Sequence, residues 1–248
     1  MLKYRTGGKV SVLEPRAGRA YEEICGVARE LRADLIIVAT HGYNGYKRIF
    51  LGSTAERVVQ HSPCPVLVVR QHLSRWNGAA HLRTHTGFRL RRILAPTDFS
   101  KCSQIAFEYG LELARDFGAE LRLEHAINAY VLSLRDKYIA LDPAELLQKM
   151  EEAAQKQMRS MAAKSKVPYS AWVLHGSLAA EICHATNEHV DLVVISTHGR
   201  TGLGHVLIGS VAEHVVRYAH CPVLVIPARP NAVNSTKLTA KETFPSGL

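Results

Sequence analysis

Val194-Ile-Ser-Thr-His-Gly-Arg-Thr-Gly-Leu-Gly-His-Val-Leu-Ile-Gly-Ser-Val211 is the stretch on which the fold turns. It opens inside the apolar segment Asp191-Leu-Val-Val-Ile195, whose length suits a buried parallel strand. Downstream, Ala212, Val215, Val216 and Ala219 recur at helical spacing. The loop between carries glycines at 199, 202, 204 and 209 and closes on Ser210. Glycines let a backbone approach a phosphate closely, and the first N–H groups of a helix point outward unpaired. A strand, such a loop and such a helix make an anion site. On glycine content alone, a plain strand–loop–helix connection serves equally well.

The same pattern occurs earlier in the chain. Asp34 to Gly42 mirrors Asp191 to Gly199, Gly52-Ser53 mirrors Gly209-Ser210, and Cys64-Pro65 mirrors Cys221-Pro222. Nearly half the positions from Asp34 to Val69 are identical to their partners, without a gap. Two copies of one unit are present. Gly199, nine residues, Gly209 and Ser210, within Thr-His-Gly-Arg-Thr-Gly-Leu and Gly-Ser-Val-Ala-Glu, resemble the universal stress protein family. The nucleotide-binding members carry a further glycine where this chain has Ser196.

The second copy is complete. Its strands are expected near 91–96, 119–127, 169–174, 191–195 and up to Pro227. Helices between them begin at Ser100, Pro143, Leu178 and Ser210, with Ser100 and Asp142 as caps and Gly118 as a stop. Cys102, Ile105, Ala106, Tyr109, Leu113 and Phe117 read as the buried face of the first helix. Alternating strands and helices imply a parallel α/β sheet.

The first copy holds only the later elements. These are a strand at Lys9 to Leu13, a helix over 19–31 with Ala20, Ile24, Val27, Ala28 and Leu31 on one face, a strand at Asp34 to Ala39, a helix near 53–60 and a strand at 65–69. The expected division is a half-domain over 1–70, a basic linker over 71–88, a full domain over 89–228 and a loose tail over 229–248. The resemblance implies a five-stranded Rossmann-like sheet, of the adenine nucleotide alpha hydrolase-like type, ordered 3-2-1-4-5 in the full domain.

The formal charge is +9, with 47% hydrophobic and 21% charged residues, as in ordinary globular chains. Six arginines and no acid lie from Arg70 to Arg92, so much of the excess is local to this stretch. Nucleic acid is therefore the weaker reading of that charge. Five cysteines without a Cys-x-x-Cys pair suit reduced thiols. No apolar run has the length of a membrane span and no signal region follows the start, so the expectation is cytoplasmic. His81 and His85 look like a zinc-finger tail, but the two close cysteines such a site needs are missing upstream.

In a parallel sheet, ligands sit beyond the carboxyl ends of the strands at the switch point. Pro96-Thr97-Asp98-Phe99-Ser100 follows the first strand of the full copy and matches the family's first turn. Asp98 taken alone is also a good acid for a helix N-terminus. The resemblance implies ATP or a related adenine nucleotide as cofactor, with magnesium left open. By the same resemblance, Pro96, Thr97 and Asp98 approach the ribose or base. The backbone at Ala126 and Ile195 lies by adenine, and Ser196, Gly199, Arg200, Gly209, Ser210 and Val211 border the phosphates. No Lys precedes Ser210, unlike a P-loop, so hydrolysis is expected to be weak or absent. His125 and His198 fall at strand ends, where a structural role competes with a catalytic one.

The implied role is a stress-response regulator. Its rivals are an interaction module without nucleotide and an adenylyl-transferring enzyme. Pairing of Pro65–Val69 with Pro222–Ile226 would give an internal pseudo-dimer. The other side of Leu35 to Val38 then stays open, to be covered by a homodimer, left disordered or completed by an upstream segment.

Overall fold

The structure is a computed structural model that describes residues 12–39, 51–69, 90–127, 142–163, 165–187, 190–199 and 208–228. The linker, the tail and the His81–His85 motif lie outside these residues. Seven strands form one sheet: β1 (Ile36–Ala39), β2 (Val66–Val69), β3 (Arg92–Pro96), β4 (Glu120–Ile127), β5 (Tyr169–His175), β6 (Leu192–Ser196) and β7 (Val223–Ile226). Among the described residues the helices are α1 (Ala20–Glu30), α2 (Ser53–His61), α3 (Lys101–Phe117), α4 (Pro143–Ala162), α5 (Leu178–Ala185) and α6 (Ser210–Tyr218).

The sheet order is β1-β2-β7-β6-β3-β4-β5. The five strands of the second copy keep the expected order, all parallel. The sheet does not end there. β2 pairs antiparallel with β7, Val66 opposite Val225 and Leu67 opposite Leu224, and β1 pairs parallel with β2. The five-stranded expectation is thus extended to seven strands by the two that the first copy adds. One core lies under α1, α2, α5 and α6, and a second under α3 and α4, on opposite faces of the sheet.

Local sequence explains the ends of the helices. The Ser100 side chain accepts from the Ser103 N–H at 3.2 Å, and Asp142 accepts from the Ala144 N–H at 2.9 Å. Gly118 closes α3 in the left-handed region at φ 63°. Asp191 accepts from the Arg91 and Arg92 N–H groups at 2.8 and 3.0 Å, which pins the start of β3 to β6. All five cysteines are free thiols, and three of them are buried.

Some expected faces shift. On α3 the buried residues are Ser103, Ala106, Phe107, Gly110 and Ala114, while Cys102, Ile105, Tyr109 and Leu113 are half-buried and Phe117 is exposed. Small residues win the sheet-facing positions because α3 lies close to the strands. A Cβ on Gly110 would come 3.3 Å from Leu121 Cδ1 and 3.7 Å from Ala95 Cβ. On α1, Cys25 and Ala28 are buried, and Leu31 is exposed just past the last turn. The strand expected at Lys9 to Leu13 is not seen at Val12 and Leu13, which are exposed, and its other residues lie outside the described ones.

β1 stands at the sheet edge. Its Ile37 is 63% exposed, whereas Val194, the matching residue of the second copy, is 0% exposed under α3. Among the described residues no helix covers Ile37 as α3 covers Val194.

Candidate functional site

β3 and β6 are neighbours, so the loops that follow them face each other. Between these loops and the start of α6 lies a cleft of about 480 Å³. Of the residues expected there, Pro96, Thr97, Asp98, Ile195, Ser196, Gly199, Gly209, Ser210 and Val211 line it. Leu178, Ser103, Thr197, His198 and Ala212 join them. Ala126 does not line the cleft: it lies on β4, on the far side of β3 from β6. Arg200 lies outside the described residues.

The turn after β3 is held by its own polar atoms. The Thr97 N–H donates to the Glu124 carbonyl at 2.8 Å, and the Phe99 N–H donates to Thr97 Oγ1 at 3.0 Å. The Ser100 N–H donates to Asp98 Oδ1 at 3.0 Å, so Asp98 closes an Asx turn. Phe99 takes φ 63°, a left-handed conformation unusual for a non-glycine residue. The other Asp98 oxygen lies against Gly199. A Cβ there would sit 2.6 Å from Asp98 Oδ2, so any larger residue must push the carboxylate aside.

Gly209 is required for a different reason from the one its spacing suggests. Its N–H donates to the Thr197 carbonyl at 2.7 Å, and an added Cβ would stand 3.2 Å from that same oxygen. The glycine lets the two ends of the loop meet. It also caps α6, whose first amides open on the cleft. Ser196, at the family's usual glycine, turns its hydroxyl onto its own loop and donates to the His198 carbonyl at 2.8 Å. Thr197 Oγ1 accepts from the Ala228 N–H at 3.2 Å and lies 2.9 Å from His198 Nδ1. His198 is thereby engaged in holding the loop.

The cleft has two chemical ends. Helix amides favour an anion near Ser210 and Val211. A carboxylate at Asp98 repels phosphate but accepts well from hydroxyls. Burial pushes the nearby Cys102 thiol up, and the charge of Asp98 adds to it, so this sulfur is not a ready nucleophile. Among the described residues no group of three or more His, Cys, Asp or Glu is placed to hold a metal ion.

Sequence reasoning missed Glu124. It is 0% exposed on β4, directly opposite Pro96 of the cleft wall. Arg122 Nε lies 2.7 Å from its Oε1 but is out of line for a hydrogen bond. Burial pushes this carboxyl up to about 7 against the pull of Arg122, and Glu181 on α5 adds to the rise. The Arg122 guanidinium also sits 5.1 Å over the Trp172 ring.

The sequence profile of the universal stress protein family matches residues 2–70 and 89–227. A universal stress protein of Methanocaldococcus jannaschii is 36% identical over 144 residues, spanning 55% of this chain and 81% of its own. A second from the same organism is 28% identical over 154 residues, spanning 55% of this chain and 94% of its own. The crystal structure of a universal stress protein from Archaeoglobus fulgidus covers 90% of this chain and 72% of its own, with a TM-score of 0.60 and 23% identity. At that identity the likeness concerns the fold. With both copies matched by the profile and the cleft built from the matched loops, this chain belongs to the universal stress protein family.

Proposed function

We propose that the cleft binds an adenine nucleotide, ATP or a relative, and that binding rather than turnover is the biochemical output in a stress response. The observation that carries this reading is the juxtaposition of Asp98 with Gly199 across the mouth of the α6 N-terminus. The carboxylate accepts ribose hydroxyls and the helix amides receive phosphate. Ser196 is compatible because its hydroxyl is already committed to the His198 carbonyl.

The larger copy, 89–228, acts as the binding domain in this reading, and 1–70 acts as a half-domain docked on it. The chain works in the cytoplasm, and a second copy covers the open edge at β1. Among the described residues no helix is long and apolar enough to cross a membrane.

Calorimetric titration of the purified chain with ATP tests the site. The parent is expected to bind one nucleotide, and Gly209→Val is expected to lose it while melting as a folded protein. Unchanged binding in that variant sinks the assignment. Absence of binding in the parent leaves the interaction-module reading in its place. Product formation from ATP would favour an enzyme instead.

A further inference from the structure

We infer that His125 is a positioning residue for Asp98, holding the acid in the geometry that the nucleotide reading requires; the inference rests on that reading. Asp98 lies between two residues that His125 grips at once. The His125 Nδ1–H donates to the carbonyl of Thr97, with 2.8 Å between the heavy atoms. The same imidazole lies against the Phe99 ring, 4.4 Å between centroids with a tilt of 33°.

Phe99 needs that support. Its φ of 63° is a conformation that side chains with a Cβ disfavour, and it persists only where the surroundings over-determine it. With Thr97 and Phe99 held, the peptide units on both sides of Asp98 are fixed. One Asp98 oxygen then meets the Ser100 N–H at 3.0 Å, and the other is aimed at the Gly199 backbone. His125 itself does not line the cleft. It therefore acts through the turn, from β4, with β3 between it and the strand whose loop faces the acid across the cleft. Two chemical requirements follow: an N–H donor toward Thr97 and a flat ring under Phe99.

The test is a thermodynamic cycle on ATP affinity, read in the full-length chain with His125→Leu, His125→Asn, Asp98→Ala and Asp98→Ala/His125→Leu. Leu offers no donor, and the Asn amide restores one. His125→Leu is expected to weaken ATP about tenfold, and His125→Asn to recover at least half of that loss on a logarithmic scale. In the Asp98→Ala background His125→Leu is expected to change affinity less than twofold, because the residue it serves is gone. An equal loss in both backgrounds, or no recovery with Asn, overturns the inference.

A second measurement without nucleotide keeps the two claims apart. The side-chain carboxyl carbon resonance of Asp98 is expected to shift in His125→Leu and to return toward the parent position in His125→Asn. A resonance that stays in place overturns the positioning role whatever the affinities show. If Asp98→Ala binds ATP as the parent does while that resonance responds to His125, the nucleotide role of Asp98 fails and the positioning contact stands.

Discussion

Glutamine in place of Glu124 should stabilise this protein, and the gain should depend on pH in a defined way. The folded carboxyl is pushed from the ordinary glutamate value of 4.5 up to about 7, chiefly by burial. In the unfolded chain it keeps the ordinary value. The folded state therefore binds the proton more tightly than the unfolded state does. Stability from this group is fully present below pH 4.5, falls as pH rises toward about 7, and stays low above it. Two and a half pH units at about 1.4 kcal/mol each correspond to roughly 3 kcal/mol. Arg122 and Glu181 act on the carboxyl; the first opposes the rise and the second adds to it. Glutamine resembles the protonated acid in shape and carries no charge to desolvate. Urea unfolding of parent and variant across this pH range reads the difference, since all other titrations cancel. The two should match near pH 4.5, and the variant should lead by roughly 3 kcal/mol at about pH 8. A difference independent of pH, or a variant that grows relatively weaker toward high pH, refutes the reasoning. The latter would show the Glu124–Arg122 pair to be net stabilising despite its burial.

Gly199→Ala should weaken ATP about tenfold, because its methyl would lie 2.6 Å from Asp98 Oδ2 and must push the acid aside. Adding Asp98→Ala to that variant should cause little further loss; full additivity by calorimetry would disconnect the two residues. Gly52→Val in the first copy should leave one nucleotide per chain, because the proposed site is the cleft between Asp98 and Gly199 of the second copy. A fall in stoichiometry would show that another chain completes the first copy. Ile37→Lys should shift self-associated protein to monomer in light scattering, since it charges the exposed residue of the β1 edge. A parent that is a monodisperse monomer with all β1 amides protected from exchange would contradict the open edge.

What was readable in the sequence follows the physics of each signal. The repeat and the apolar runs located β1, β2, β6 and β7 because parallel buried strands need continuous apolar residues. Asp98 and Gly199 are 101 positions apart, and only the strand order made them neighbours. On α3, counting large apolar residues finds Ile105, Tyr109 and Leu113, which pack against the core but stay partly buried. Contact with the sheet favours the small residues Ala106, Gly110 and Ala114. Glu124 was invisible because the polar residues Glu120, Arg122 and Glu124 alternate as they would on a solvent face. The chain returns through α5 across that face, and local alternation carries no trace of a later helix. The role of Gly209 was legible as a glycine requirement but not as contact with the Thr197 carbonyl.

The antiparallel seam between β2 and β7 also sets an order of events during synthesis. Leu67 pairs with Leu224, 157 positions later. At roughly 5–20 residues per second, β2 emerges from the ribosome about 8–30 s before its partner. Through that interval the Val-Leu-Val-Val strand 66–69 has no native neighbour on the side that β7 will take. Val225 must be made before the seam can form in full, so association through strand 66–69 is a hazard of synthesis that the finished sheet removes.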